Sequence, residues 1–309
     1  MGLTARITYY IRRITRAALA AIEEPPARLT YAETRQPAIA AEVARLKAEM
    51  RATMPDNPVL AGYKVFSQVD EDGIIQALLD RLPAAARTRT AIEIGCGDGT
   101  ENNTHLLLLY GFRTCWLDGS SHNIGVIRRA LGLEGERKGR LMVTQAFVTT
   151  ENIRDLIARC CDFLGTPEPD FFSLDIDGND LHVLAQALPW FRPKIVCVEY
   201  NGKFPPPLSI SIRYNPDHEW GGDDYQGASL QAFADLLTDY TLVCCNISGA
   251  NAFFVRNDLA APYPCHPAGL LFQPLRSHLR LLHTGHPPSL TWLRDALDAD
   301  VDTAAQVTS

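Results

Sequence analysis

From about residue 67 onward the hydrophobic and polar positions fall into two alternating periods. The runs "TAIEIG", "TCWLDG", "LMVTQAFV", "FFSLDID", "KIVCVEY", "TLVCCN" and "NAFFVR" are short, apolar and rich in β-branched and aromatic residues, the signature of buried strands. Helical stretches separate the first five. Strands alternating with helices imply a largely parallel sheet covered on both faces. The last two runs lie close together around "ISGA", which predicts an antiparallel hairpin at the sheet edge. Ahead of them "SQVDEDGIIQALLDRL" reads as a helix whose acids near the start suit its dipole.

The first 60 residues have a different pattern. Over residues 3–22, Ile7, Ile11, Ile14 and Ala18 share one helical face, with Arg6, Arg12, Arg13 and Arg16 opposite, so a basic amphipathic helix is expected. It docks either on the protein's own core or, peripherally, on a membrane surface. "EEPPAR" breaks it, "PAIAAEVARLKAEM" reads as a second helix, and "MPDNP" interrupts again. The expected organisation is a helical appendage over 1–60, one α/β domain over 61–259 and a C-terminal extension over 260–309 with short helical signals.

Charge changes this picture little. The net charge of −7 opposes general nucleic-acid binding, which needs dense Lys and Arg. Subtracting the four N-terminal arginines leaves −11 for the rest, so any attraction to anionic surfaces lies at the N-terminus. The eight cysteines show no C-x-x-C spacing and several lie in apolar runs, as buried reduced thiols of a cytoplasmic protein would. No stretch reaches the roughly 18 apolar residues of a membrane span.

Chemistry concentrates at strand ends. In "AIEIGCGDGTENN" the glycines at 95, 97 and 99 follow a strand and precede "THLLLLY", a helix that Asn103 or Thr104 would cap. Glycines there let a ligand approach the backbone, and a helix start offers free N–H groups. A nicotinamide fingerprint is G-x-G-x-x-G, whereas Thr100 holds the sixth position here and Glu93 sits inside the strand. "EIGCGDG" instead resembles the first motif of class I S-adenosylmethionine-dependent methyltransferases, E/D-x-G-x-G-x-G. The resemblance implies that Glu93 helps orient the amino group of the cofactor and that the Gly95, Gly97 and Gly99 backbone lies beside its methionine part. Asp118, about twenty residues on at the end of the next strand, is placed to accept from ribose hydroxyls, a role shared with dehydrogenases. Ala146 and Phe147 match the region where methyltransferases hold adenine.

"SLDIDGND" places Asp175 and Asp177 at the end of the fourth strand, with Asn179 and Asp180 beyond Gly178; "VEYN" brings Glu199 and Asn201 to the neighbouring edge. Clustered acids need a cation, a proton or a donor, and oxygens from Asp175, Glu199 and Asn201, with Asp177 beside them, suit Mg²⁺ or a similar hard cation. This placement is similar to the metal site of catechol O-methyltransferases.

The series "SQVDEDGI", "EIGCGDGTENNT", "SLDIDGNDL", "VEYNGKFPP", "DYQGASL" and "GANAFFVR" resembles the FkbM-like methyltransferases over roughly residues 65–259. That resemblance implies a Rossmann-like methyltransferase fold, S-adenosyl-L-methionine as donor, and O-methylation of a hydroxyl on a sugar, glycan or natural product. Asp175, Asp177 or His218 would serve as base, with or without a divalent cation. Residues 204–229 form a long polar, aromatic-rich loop suited to cover an acceptor, and His218 within it and His182 after the acid cluster are the histidines placed for proton transfer. Two other readings stay open: an NAD-dependent oxidoreductase or epimerase, and a non-catalytic scaffold on a membrane.

Overall fold

The computed structural model describes residues 27–132 and 139–281, together with positions 290, 293, 294, 297 and 298. The amphipathic helix expected over 3–22, with its membrane contact, and most of the helical signal near the C-terminus lie outside the described residues. The chain divides into two compact units, Met1–Arg45 and Leu46–Ser309. Helix α1 (Ala27–Thr53) starts ten residues before the expected boundary and continues through Pro37, which forgoes one backbone hydrogen bond without ending it. Among the described residues no helix is long and apolar enough to cross a membrane.

In the larger unit a short 3₁₀ turn (Pro58–Ala61) leads to α2 (Glu71–Arg81). Then come β1 (Thr90–Ile94), α3 (His105–Leu109), β2 (Arg113–Asp118), α4 (Ser121–Leu131), β3 (Leu141–Gln145), α5 (Ile153–Leu164), β4 (Phe171–Leu174), α6 (Asp180–Ala187) and β5 (Ile195–Glu199). After the long loop follow α7 (Leu230–Leu236), β6 (Tyr240–Cys245), β7 (Asn251–Arg256) and the single turn α8 (Ala268–Leu271). The seven strands are ordered β3-β2-β1-β4-β5-β7-β6. The first five are parallel and β7 runs antiparallel to both β5 and β6. This is the Rossmann-like methyltransferase fold, with the edge hairpin where "ISGA" placed it. The hairpin inserts its second strand next to β5, so β6 is the true edge.

Each strand buries both faces, as parallel sheets under two helical layers must. Every residue of β1 and β7 is buried, and Trp116, Phe171, Phe172, Phe253 and Phe254 are fully enclosed. Each such side chain contributes about 1.5–3 kcal/mol of hydrophobic stabilisation. The covering helices show the complementary period: α4 buries Ile124, Ile127 and Leu131, and α5 buries Ile153, Ile157, Cys160 and Leu164. Helix α4 starts where Ser120 Oγ accepts from Asn123 N, and both helices stop at left-handed glycines, Gly132 and Gly165. The cysteines are free thiols, and six of them are buried.

Register decides where chemistry collects. Ile94 pairs with Leu117 and Leu174, and Leu174 with Val198. The next residue of each strand therefore falls in one row on the C-terminal edge: Asp118, Gly95, Asp175 and Glu199. Asn251 extends the row beside Glu199. The strand order reverses at β1, and open α/β sheets form their ligand crevice at such a point.

Candidate functional site

A cavity of about 410 Å³ opens along this row. Gly97, Asp118, Asn123, Ala146 and Phe147 line one end, and Gln68, Asp175, Asp177, Glu199, His218 and Arg280 the other. Of the residues proposed from sequence, Glu93, Gly99, His182 and Asn201 are absent from its lining.

The three glycines serve three purposes. A Cβ on Gly95 would fall 1.6 Å from the Asp175 carbonyl oxygen, and one on Gly99 2.8 Å from the Trp116 ring, so both permit close packing of the protein itself. A Cβ on Gly97 would meet nothing within 4 Å. Only Gly97 leaves its open side to a ligand. All three have positive φ, which glycine adopts without strain.

Glu93 is turned away from the cavity. It is buried, and its carboxylate accepts from Asn103 N at 2.8 Å and Thr104 N at 2.9 Å and from the Thr104 hydroxyl. Neither Asn103 nor Thr104 caps α3 with its side chain; Glu93 does so from β1, together with Asn102 Oδ1, which accepts from His105 N. Burial raises the Glu93 carboxyl to about 7, opposed by these hydrogen bonds. Its position in the motif reflects helix capping, a local use that spacing alone does not reveal.

Asp118 secures the glycine loop. Oδ2 accepts from Gly97 N at 2.9 Å, while Oδ1 accepts from Ser120 N and Asn123 Nδ2. A carboxylate oxygen holds two lone pairs, so Oδ2 keeps one for a hydroxyl donor in the cavity. Phe147 is largely exposed at the rim, and Ala146 N donates to Asp118 O, fixing the two strand ends together.

At the other end Asp175, Asp177 and Glu199 each offer an oxygen within 4.8 Å of the others. Asp180 builds the turn that presents them: Oδ1 accepts from Ile176 N and Oδ2 from Gly178 N, and between them Asp177 takes a left-handed φ of 55°. Burial, then the neighbouring acids with Glu199 first, raises the Asp175 carboxyl; burial, then Asp177, raises that of Glu199. Asp177 is raised by burial too, against the pull of Arg280. The guanidinium of Arg280 lies 3.8 Å from Glu199 Oε1.

Asn201 does not join this group, which corrects the ligand set expected from sequence. Its Nδ2 donates to Asp224 O and Gln226 O, and its Oδ1 accepts from Lys203 N. Two residues beyond the row, Asn201 pins the long loop, and Asp177 takes the place beside Asp175 and Glu199. His182 also serves the loop, through Ile212 O at 2.9 Å and an edge contact with Tyr214. His218 reaches the cavity: its ring packs so closely on Gly178 that a Cβ there would lie 2.2 Å away, and its Nε2 is buried with no partner. The loop leaves Trp220 and Tyr225 half-exposed, their polar atoms engaged by Asp223 O and Arg213 N.

Sequence reading missed Gln68, Asn123 and Arg280, while Asn179, named beside the acid cluster, does line the cavity. Asn123 stands just after a strand at a ligand-bearing edge, a signal of position. Gln68 and Arg280 arrive from outside the βα units, by packing that no local pattern encodes.

No protein-family model and no curated protein matches the chain. Among solved structures, an O-methyltransferase from Bacillus cereus in complex with SAH aligns at 15% identity and TM-score 0.38, over 78% of this chain and 96% of its own. A putative caffeoyl-CoA O-methyltransferase from Staphylococcus aureus aligns at 10% identity and TM-score 0.39, over 80% and 100%. The O-methyltransferase TomG from Streptomyces achromogenes, involved in tomaymycin synthesis and in complex with SAM, aligns at 16% identity and TM-score 0.36, over 59% and 77%.

Proposed function

We propose that the chain is an S-adenosylmethionine-dependent methyltransferase that methylates a hydroxyl on a sugar, glycan or natural-product acceptor. The observation that carries this reading is one cavity with two chemically different ends on a single strand-end row. At the first end, Gly97 without a side chain, the free lone pair on Asp118 and the Phe147 ring suit a nucleoside: close backbone approach, a ribose hydroxyl and a stacked base. At the second end, paired raised carboxylates suit proton removal from an acceptor.

Bound with its nucleoside at the first end, S-adenosylmethionine would supply an electrophilic methyl, displaced in line by the acceptor oxygen. The oxygen–carbon bond forms, the sulfonium–carbon bond breaks, and the hydroxyl proton has to leave. Asp175 and Glu199 face each other at the cavity wall, and a carboxylate whose affinity for protons has been raised well above the usual carboxylate range is a stronger base than an ordinary one. His218, with its unpartnered Nε2, is the second candidate to take this proton. Loop 204–229 closes the acceptor side and limits water.

The carboxylate trio also fits a divalent cation. Three hard oxygen donors from adjacent strand ends, within 4.8 Å of each other, are the ligand type that Mg²⁺ or Mn²⁺ takes. Asp175, Asp177 and Glu199 would hold it, and it would supply Lewis acidity to lower the hydroxyl pKa. Incubation of the protein with methyl-labelled S-adenosylmethionine and pooled hydroxylated acceptors, with and without chelator, tests both parts. Label in an acceptor supports methyl transfer, and turnover indifferent to chelation removes the cation. Turnover with NAD alone would replace the reading by an oxidoreductase.

A further inference from the structure

The motif "SQVDEDGI" places three consecutive acids, Asp70, Glu71 and Asp72, at the start of α2, and all three are buried. Buried carboxylates are costly unless donors surround them, so their partners indicate their purpose. Asp72 Oδ2 accepts from Val65 N, Phe66 N and Ser67 N at 2.7–2.8 Å and from Ser67 Oγ. Glu71 Oε2 accepts from Val69 N and Asp70 N. The two carboxylates thus hold every amide from 65 to 70 except that of Gln68.

Gln68 differs from its neighbours in a second way. Phe66, Ser67, Val69 and Asp70 are buried, whereas Gln68 is half-open and lines the cavity. Lys64 Nζ donates to its carbonyl at 2.8 Å and reaches on to Glu101 Oε2, tying the segment to the loop beyond Gly99. Its side-chain amide makes no hydrogen bond among the described residues. The clamp holds one unengaged amide against the ligand space.

Topology fixes which end it faces. Phe66 stacks on His105 at the start of α3, and Glu71 Oε1 accepts from Asn251 Nδ2, the residue paired with Glu199. Gln68 therefore stands above β1, β4 and β5, away from Asp118 and Phe147. A donor whose nucleoside occupies the latter directs its amino-acid part here. The ammonium of that part has carboxylates to choose from; its carboxylate needs an N–H donor. Gln68 and Arg280 are the long side-chain donors at this end; Arg280 stands 3.8 Å from Glu199 Oε1 with its Nε unpartnered, its charge drawn to Glu199 and Asp177, so Gln68 is the uncharged donor beside it.

We infer that the Gln68 side-chain amide donates to the α-carboxylate of S-adenosylmethionine, an assignment that rests on the donor reading above. The test compares S-adenosylhomocysteine with 5′-methylthioadenosine, which keeps the nucleoside and the thioether but lacks the amino-acid part. Both are titrated calorimetrically into the full-length protein and into Gln68→Ala and Gln68→Glu. Loss of a hydrogen bond to a charged group should weaken S-adenosylhomocysteine about tenfold or more in Gln68→Ala, while 5′-methylthioadenosine stays within about twofold. Gln68→Glu should lose more, because it sets a carboxylate against a carboxylate. Equal weakening of both ligands would reduce Gln68 to a structural role, and unchanged binding of S-adenosylhomocysteine would overturn the assignment. Wild-type protein that binds neither ligand refutes the donor reading itself.

Discussion

Two regions gather carboxylates, and they treat them in opposite ways. At the start of α2 and inside β1, Glu71, Asp72 and Glu93 each accept from several N–H and O–H donors of their own chain, Asp72 through Oδ2 alone. At the ends of β4 and β5, Asp175, Asp177 and Glu199 face one another and Arg280. The first arrangement converts ionised oxygen into rigid backbone. The second leaves like charges together at a cavity wall, which destabilises a fold unless a ligand makes use of them. Residue type is alike in the two regions; the first carboxylates are buried among donors, the second are partly open with Asp177 exposed, and donors and access together decide between structure and chemistry.

The largest effects should separate the regions along two axes. Asp175→Asn is expected to lower methyl transfer by roughly 10²–10⁴-fold, the usual contribution of a positioned base, while denaturant unfolding shows stability unchanged or raised as one of the clustered like charges disappears. Glu71→Ala should do the reverse, costing about 3 kcal/mol or more because two amides and the Asn246 and Asn251 side chains lose their acceptor. A stability loss in Asp175→Asn equal to that in Glu71→Ala would dissolve the distinction.

The glycine loop extends the contrast at smaller scale. Gly95→Ala drives a methyl into the Asp175 carbonyl and should cost roughly 3 kcal/mol or more. Gly97→Ala meets no protein atom, so thermal denaturation should register only the left-handed backbone cost of about 1 kcal/mol. Its methyl projects into the cavity, and S-adenosylhomocysteine affinity should drop instead. Equal destabilisation by the two substitutions would contradict the separate purposes assigned to these glycines.

The smallest effect is electrostatic. Burial and then Asp177 raise the Glu199 carboxyl, and Glu199 raises that of Asp175, so the base form gains population only well above the ordinary carboxylate range. The rate should therefore climb with rising pH through a limb far above pH 4. Removing the negative charge in Asp177→Asn lowers the cost of ionising Glu199 and should move that limb to lower pH, by roughly half a unit to one. A shift to higher pH in a full pH–rate profile would reverse the assigned sign.

Much of this was legible in the sequence, for reasons that also mark where legibility ends. Strands such as "TAIEIG" and "KIVCVEY" declare themselves because both faces are buried and the pattern is continuous. Asp118, Asp175 and Glu199 were found because a strand's last residue is also its edge residue. Asn201 was placed two residues too generously: past the strand end the chain turns, and the side chain follows the loop. The resemblance puts Glu93 beside the cofactor's amino group, and motif position says nothing of the helix start its carboxylate holds. Gln68 and Arg280 were invisible because packing, between segments far apart in sequence, brings them to the cavity.

The central claim is that the Gly97–Asp118 end of the cavity holds the nucleoside of S-adenosylmethionine. Calorimetric titration of S-adenosylhomocysteine and of NAD into wild type and Asp118→Ala tests it directly. The account predicts one saturable site per chain for S-adenosylhomocysteine, weakened about tenfold or more by Asp118→Ala through loss of hydroxyl and loop hydrogen bonds, and no saturable binding of NAD. Binding of NAD without S-adenosylhomocysteine, or affinity indifferent to Asp118, would contradict it.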